Sequence, residues 1–387
     1  MNTTRKRLAL VPIGLYILST PFYVLPPAYP QVAHLLMALI TIGLLFTVPM
    51  PTGPTFRKSV IAFAIFVIYT YIVNGAFSIV TNDYGVLMSS VYFTFNFVSF
   101  LSIGKYYDTY GSEFLRFVLI MTAYSLCLQA FFGITGLHPG AKGYRSTLFF
   151  NNPNQLGYWT LIASSLVAIG STRLKINTFF LVLSLTSGMY LASLALSKAA
   201  LISIGVLFLF VSVKRPVVIA SVLVMIVAFV ASPYSASVID GFDKRVATIG
   251  ESNDDSAEGR GYDRISDFPK YWAFGAGEGA YIRFSEDAKE LHSTLGTMFF
   301  CYGIVGSLLF TYFIMGAFQG SRLAWQYSMP TVLYGITHNG LRSTAAWLFV
   351  AFTFCLVCEM RRERRESEAL TAERRAPPPS LEAVPSA

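Results

Sequence analysis

Charge is what this sequence is short of. Only 13% of its 387 residues are Asp, Glu, Lys or Arg, against 54% apolar and 15% aromatic, where an ordinary soluble domain is about 25% charged. The shortage excludes a separate soluble domain and points to a chain whose main solvent is lipid. Cysteine is scarce as well. Cys127, Cys301, Cys355 and Cys358 all fall in apolar runs, and the CxxC spacing of the last two has no strand or βαβ setting, so neither a disulfide nor a zinc site is expected. No GxGxxG fingerprint or Walker loop occurs, which leaves no sign of nucleotide-driven transport. The net charge of +8 is carried by short basic loops and gives no reason to expect a nucleic-acid partner.

What is present is a series of apolar runs of roughly membrane-spanning length. They predict spans at 8–24, 33–49, 59–79, 86–103, 114–134, 155–171, 177–194, 199–213, 216–235, 293–316, 321–337 and 343–360. The first follows Arg5, Lys6 and Arg7 as a signal peptide would. Pro21, Pro26, Pro27 and Tyr29 stand where a small-residue cleavage site belongs, so it reads as a retained anchor. The last two arise because His338-Asn339-Gly340-Leu341-Arg342 interrupts the run from Trp325 to Cys358. Splitting that run puts the polar cluster at a membrane surface instead of in lipid.

The expected fold is therefore an all-α polytopic membrane protein of about 12 transmembrane helices, with one large loop between helices 9 and 10. It divides into 1–235, a membrane region; 236–291, the loop; 292–360, a second membrane region; and 361–387, a tail with too little apolar content to fold alone. With the N-terminus inside, Arg57-Lys58, Lys105, Arg173, Lys175, Lys214-Arg215, Arg322 and the Arg361–Arg365 run lie on the cytoplasmic side, as basic loops prefer. The outer face then collects Arg145, Lys198, the 236–291 loop and the His338–Arg342 turn.

That face carries the chemistry. His292 stands where the loop meets a helix start, a position at which backbone N–H groups favour anions, and histidine exchanges a proton near neutrality. Arg245, Arg260, Arg264 and Arg283 are fixed cations able to fork onto phosphate. If helical, the segment 260–264 would point two of them the same way. Gly275, Gly277 and Gly279 permit a close backbone approach, and Gly303 and Gly306 permit close helix packing.

His292-Ser293, nine residues, then Gly303-x-x-Gly306 resembles the motif of the bacterial O-antigen ligase and O-antigen polymerase family, membrane glycosyltransferases of the GT-C type. Three segments add to it in order: Arg145 before Asn152-Pro153-Asn154, Ser197-Lys198-Ala199-Ala200, and the arginine, proline and Gly-x-Gly run from Arg260 to Gly279. The likeness covers about residues 140–310. Lys198 replaces the family's usual arginine, and Arg264 stands where an aromatic residue is common.

The resemblance implies a glycosyltransferase of the bacterial inner membrane, with cytoplasmic termini and a periplasmic site. Its donor would be an undecaprenyl-diphosphate-linked oligosaccharide drawn from membrane lipid, with no cofactor and no metal. No Asp-x-Asp pair occurs to hold a metal; Asp254 and Asp255 are adjacent. His292 would activate the acceptor hydroxyl, with Arg260 or Arg264 as its catalytic companion. Arg145, Arg260 and Lys198 would hold the diphosphate, and Arg245, His338, Arg342 and Asn154 are further candidates. A flippase and a chain-length regulator are the implied partners. The turn Thr337–Arg342 resembles polymerases of O-antigen or exopolysaccharide repeat units more than ligases acting on lipid A core. A transporter of lipid-linked sugar would also have many helices, but the two halves show no internal repeat and the polar groups gather on one face. Orientation has a direct test. A cysteine replacing Asp255 should react with an impermeant thiol reagent added outside the cytoplasmic membrane; labelling only from the cytoplasm reverses the topology.

Overall fold

The structure is a computed structural model and describes residues 3–26, 29–47, 53–142, 145–231, 235–247, 260–284 and 290–375. Each of the twelve apolar runs forms a helix: α1 (Thr3–Ser19), α2 (Val32–Thr47), α3 (Pro54–Thr81), α4 (Met88–Tyr110), α5 (Ser112–Thr135), α6 (Pro153–Ser171), α7 (Thr178–Ala195), α8 (Lys198–Lys214), α9 (Pro216–Val230), α12 (Thr294–Phe318), α13 (Arg322–Thr337) and α14 (Thr344–Arg375). The shorter α10 (Ala236–Ala247) and α11 (Asp263–Asp267) lie between α9 and α12. A two-stranded antiparallel hairpin, β1 (Gly140–Lys142) and β2 (Arg145–Leu148), precedes α6. The chain is an all-α membrane protein. Among the described residues six helical stretches, in α3, α4, α5, α7, α12 and α14, are long and apolar enough to cross a bilayer.

Helix α6 is the hub. Every residue in it except Asn154 and Gln155 is buried, and it packs on α5, α7, α8, α13 and α14. Small residues set how near its neighbours come. A Cβ on Gly188 of α7 would sit 2.2 Å from Ser164 Oγ, and one on Gly157 would lie 3.0 Å from the Ala200 Cβ of α8.

Three parts depart from expectation. Residues 361–375, expected to lack structure, continue α14, where Arg362–Glu359, Arg362–Glu366 and Arg364–Glu368 pairs bridge successive turns. Charge spaced at i,i+3 and i,i+4 supports a solvated helix without an apolar face. Lys105, expected in a loop, is 3% exposed inside α4 and donates to the Leu44 carbonyl over 3.1 Å.

The third departure organises the loop between α9 and α12. Gly303 interrupts α12 with φ +67°, nine residues from its start, or about 13 Å along the axis. The freed backbone is paired by the glycine-rich segment. Ala276 and Gly277 donate to the Phe300 and Cys301 carbonyls at 2.9 Å each, while Ile304 and Val305 donate to Trp272 and Ala273 at 2.7 and 3.2 Å. Both strands of this crossing need glycine: a Cβ on Gly275 would lie 2.3 Å from Cys301 O, and one on Gly303 2.5 Å from Ala273 O. Gly306 makes room for Tyr69 of α3, whose hydroxyl donates to the Phe274 and Tyr302 carbonyls at 2.8 and 3.1 Å. Irregular backbone within a membrane protein persists where its polar groups are met in this way.

Gly303→Ala should cost about 2–4 kcal/mol, from left-handed strain and the backbone clash together. Gly205→Ala in α8, with nothing within 4 Å of its Cβ, should cost nothing. Thermal unfolding of both variants in detergent checks the contrast; equal midpoints would remove Gly303 from its structural role.

Candidate functional site

Four separate segments bring polar side chains to the end of the bundle formed by the N-termini of α6, α8, α12 and α14 and the C-termini of α7 and α13. The hairpin supplies Arg145. Its Nε donates to the Ala195 carbonyl at 3.0 Å and its Nη2 to Asn154 Oδ1 at 2.7 Å, so it ties the α7 terminus to the start of α6. The α6 start is built locally: Asn152 caps it by accepting from Gln155 N at 2.9 Å, Gln155 Oε1 takes Asn151 N at 3.1 Å, and Pro153 occupies the first turn. Asn154 is left facing Arg145, and its carbonyl accepts from Tyr334 Oη at 2.8 Å. Lys198 opens α8 three residues past the Ala195 carbonyl that Arg145 engages.

His292 is exposed and immediately precedes the cap of α12. Ser293 is that cap. Its Oγ accepts from Gly296 N at 3.0 Å and from Tyr262 Oη at 2.7 Å, and donates to Gly335 O at 3.2 Å. The His-Ser pair thus divides its labour, with serine fixing the helix start and histidine facing out. The backbone N–H of Thr294 is taken by the His338 carbonyl at 3.0 Å, so two N–H groups of the first turn, those of Thr294 and Gly296, already have partners. An anion here meets side-chain cations more than an open helix terminus.

Arg260 lies beside His292, whose N–H donates to the Arg260 carbonyl at 3.1 Å, while the Arg260 guanidinium donates to the Thr337 carbonyl at the end of α13. His338 follows directly. Its ring stacks on Tyr334 at 4.5 Å between centroids, and its Nδ1 is 2.9 Å from Thr337 Oγ1. Burial, then the charges of Arg260, His292 and Arg145, push its pKa down to about 3. His338 is a neutral imidazole at any physiological pH, and the causes of that shift put Arg145, Arg260 and His292 within electrostatic reach of one ring.

The remaining arginines do other things. Arg264 does not share a face with Arg260: it is 3% exposed, and its guanidinium lies 5.8 and 5.9 Å from the Tyr281 and Phe284 ring centroids. Desolvation lowers its pKa. Arg283 holds the glycine loop together by donating to Ala276, Gly279 and Ala280 carbonyls at 2.8–3.2 Å. Arg342 is paired with Glu278 at 3.2 Å and with Glu290. The Arg245 side chain lies outside the described residues, as do Asp254, Asp255 and Glu258.

Glu278 escaped the sequence reading. It is 1% exposed, accepts from Tyr302 Oη at 2.8 Å, and its N–H donates to Asn74 Oδ1 at 2.9 Å. A lone acid among glycines was the only signal, and it resembles a solvated loop residue. No protein-family model matches the chain, and a search of curated proteins gave no match.

The depressed His338 pKa makes stability depend on pH. The unfolded chain protonates this histidine below about pH 6.5 while the folded protein does so only near 3, so stability present above pH 6.5 is lost as pH falls towards 3. Between pH 6.5 and 5 the loss should be on the order of 1–2 kcal/mol. Melting curves across pH 5–8 should be flatter for His338→Gln than for the parent; parallel curves would contradict the assignment.

Proposed function

We propose that the protein is a metal-independent glycosyltransferase that uses an undecaprenyl-diphosphate-linked glycan as donor. The observation that carries this is the convergence of Arg145, Arg260, His292 and His338, from four distant stretches of chain, at one end of a membrane helix bundle. A sugar hydroxyl attacking an anomeric carbon must lose a proton, and the departing diphosphate gathers negative charge. His292 is the exposed base. Arg145 and Arg260 meet the diphosphate, and Lys198 adds a point charge from the start of α8. Each arginine also grips a backbone carbonyl, which fixes the guanidinium in advance.

Arg260, not Arg264, is the working arginine of the pair in this reading, because Arg264 is shut beneath aromatic rings. Arg342, already paired with two carboxylates, supports the loop. His338 stays neutral and holds the start of α12 through its carbonyl. The twelve helices are read as twelve spans of the bacterial inner membrane, with the site in the periplasm and both termini in the cytoplasm. Polymerisation of O-antigen or exopolysaccharide repeat units is preferred to ligation onto lipid A core on the strength of the Thr337–Arg342 turn.

A transporter of the same lipid-linked sugar is the competing class, and one observation favours it: an interrupted helix is common in secondary transporters. Here the interruption is filled by the protein's own loop, which argues for a fixed scaffold. Purified protein supplied with lipid-linked oligosaccharide separates the two. Transfer should yield longer glycan and free undecaprenyl diphosphate, His292→Ala should lower it about 10²- to 10⁴-fold, and Arg260→Lys should weaken donor use by losing the fork. Translocation without product would sink the enzyme reading, and near-normal turnover in the His292 variant would remove that residue from the mechanism.

A further inference from the structure

At the opposite end of the bundle, roughly 26 Å along α6 from Asn154, two adjoining clefts of about 340 and 850 Å³ open between the C-terminus of α6, the start of α7 and the α8–α9 junction. They share Ser171, Thr172, Arg173, Lys214 and Arg215, and Lys175 lines the larger. Four cations therefore surround one space. Among the described residues none of the four ion-pairs with a carboxylate. Arg215 donates to the Ser171 carbonyl and closes the back of the cleft, and Lys214 Nζ lies 5.8 Å from the centroid of the buried Tyr327 ring. Like charges held together without counter-ions repel one another, and a doubly liganded phosphate relieves that repulsion while matching the arginine forks.

The surroundings select the kind of phosphate. From the mouth of the cleft an apolar surface runs along α8 and α9, where Val213, Val217, Val224 and Val227 are 81, 72, 67 and 68% exposed. A soluble anion has no use for that surface, whereas acyl chains cover it. Basic residues beside a membrane each attract anionic lipid by about 1 kcal/mol. We propose that this cleft binds the phosphate headgroup of an anionic membrane lipid whose chains lie along α8 and α9. The site is independent of the glycosyltransferase reading, since it shares no residue with the histidine end.

Native mass spectrometry of the full chain in detergent tests it, with phosphatidylglycerol and phosphatidylcholine offered in equal amounts. The parent protein should retain phosphatidylglycerol in about tenfold preference or more. The Arg173→Gln/Lys175→Gln double variant, altered only at exposed side chains, should lose that preference with its melting temperature unchanged, and Lys214→Gln should weaken it separately. Equal retention of both lipids by the parent, or an undiminished preference in both variants, overturns the proposal. Millimolar inorganic phosphate should leave the bound phosphatidylglycerol in place; complete displacement would assign the cleft to a soluble anion and overturn the lipid form.

Discussion

The crossing of two backbones at Gly303 is the constraint from which the half of the molecule that carries His292 takes its shape. A helix that stops hydrogen-bonding to itself inside a membrane protein exposes polar groups that nothing in lipid can satisfy. The segment Trp272–Gly277 satisfies them at Phe300, Cys301, Ile304 and Val305. In return the loop acquires a fixed depth and orientation. Tyr69 and Asn74 of α3 grip the same crossing from the other side, so the loop is clamped between two helices. Arg260 and His292, on either side of this segment in the chain, are held by each other and by the end of α13.

Charge within the loop is sorted accordingly. Arg264 and Arg283 are spent on aromatic faces and carbonyls, and Arg342 on Glu278 and Glu290. A buried ion pair gains little net stability because both partners lose water. Glu278, however, accepts from the Tyr302 hydroxyl and donates its own N–H to Asn74, and this network fixes how the α13–α14 turn meets the loop. Arg145 donates to the Ala195 carbonyl and the Asn154 side-chain oxygen, and Arg260 to the Thr337 carbonyl, contacts that orient both guanidinium groups.

Much of this was legible in the sequence, for uneven reasons. Apolar runs found all twelve long helices because lipid and protein interior both demand them, and the split at His338–Arg342 was readable because a polar cluster has no place in mid-helix. The His-Ser segment marked a helix start because a polar loop gives way there to an apolar run, and capping by Asn152 and Ser293 builds the two starts. Gly303 was read as a packing residue; that it breaks the helix was illegible, because a glycine serving close contact and one serving a positive φ look the same. The different surroundings of Arg260 and Arg264 were hidden for a related reason. Spacing of four suggests a shared face only where a helix exists, and α11 begins after Arg260. The continuation of α14 past residue 360 was missed by weighing apolar content and overlooking Arg–Glu spacing.

The enclosure of α6 has a consequence for how the bilayer acts on this protein. Changes in membrane thickness work on helices through the mismatch between their apolar length and the hydrocarbon around them, tilting or shifting those that face lipid. Helices α3, α5 and α9 present exposed apolar residues, among them Ile72, Phe131 and Val224, and will feel such changes. Helix α6 touches almost nothing but protein, and Arg145 and Asn154 are anchored at its first turn. The end of the bundle that carries Arg145 and Asn154 is thereby insulated from lipid composition, and a chain of this design can keep its geometry while its host adjusts the membrane.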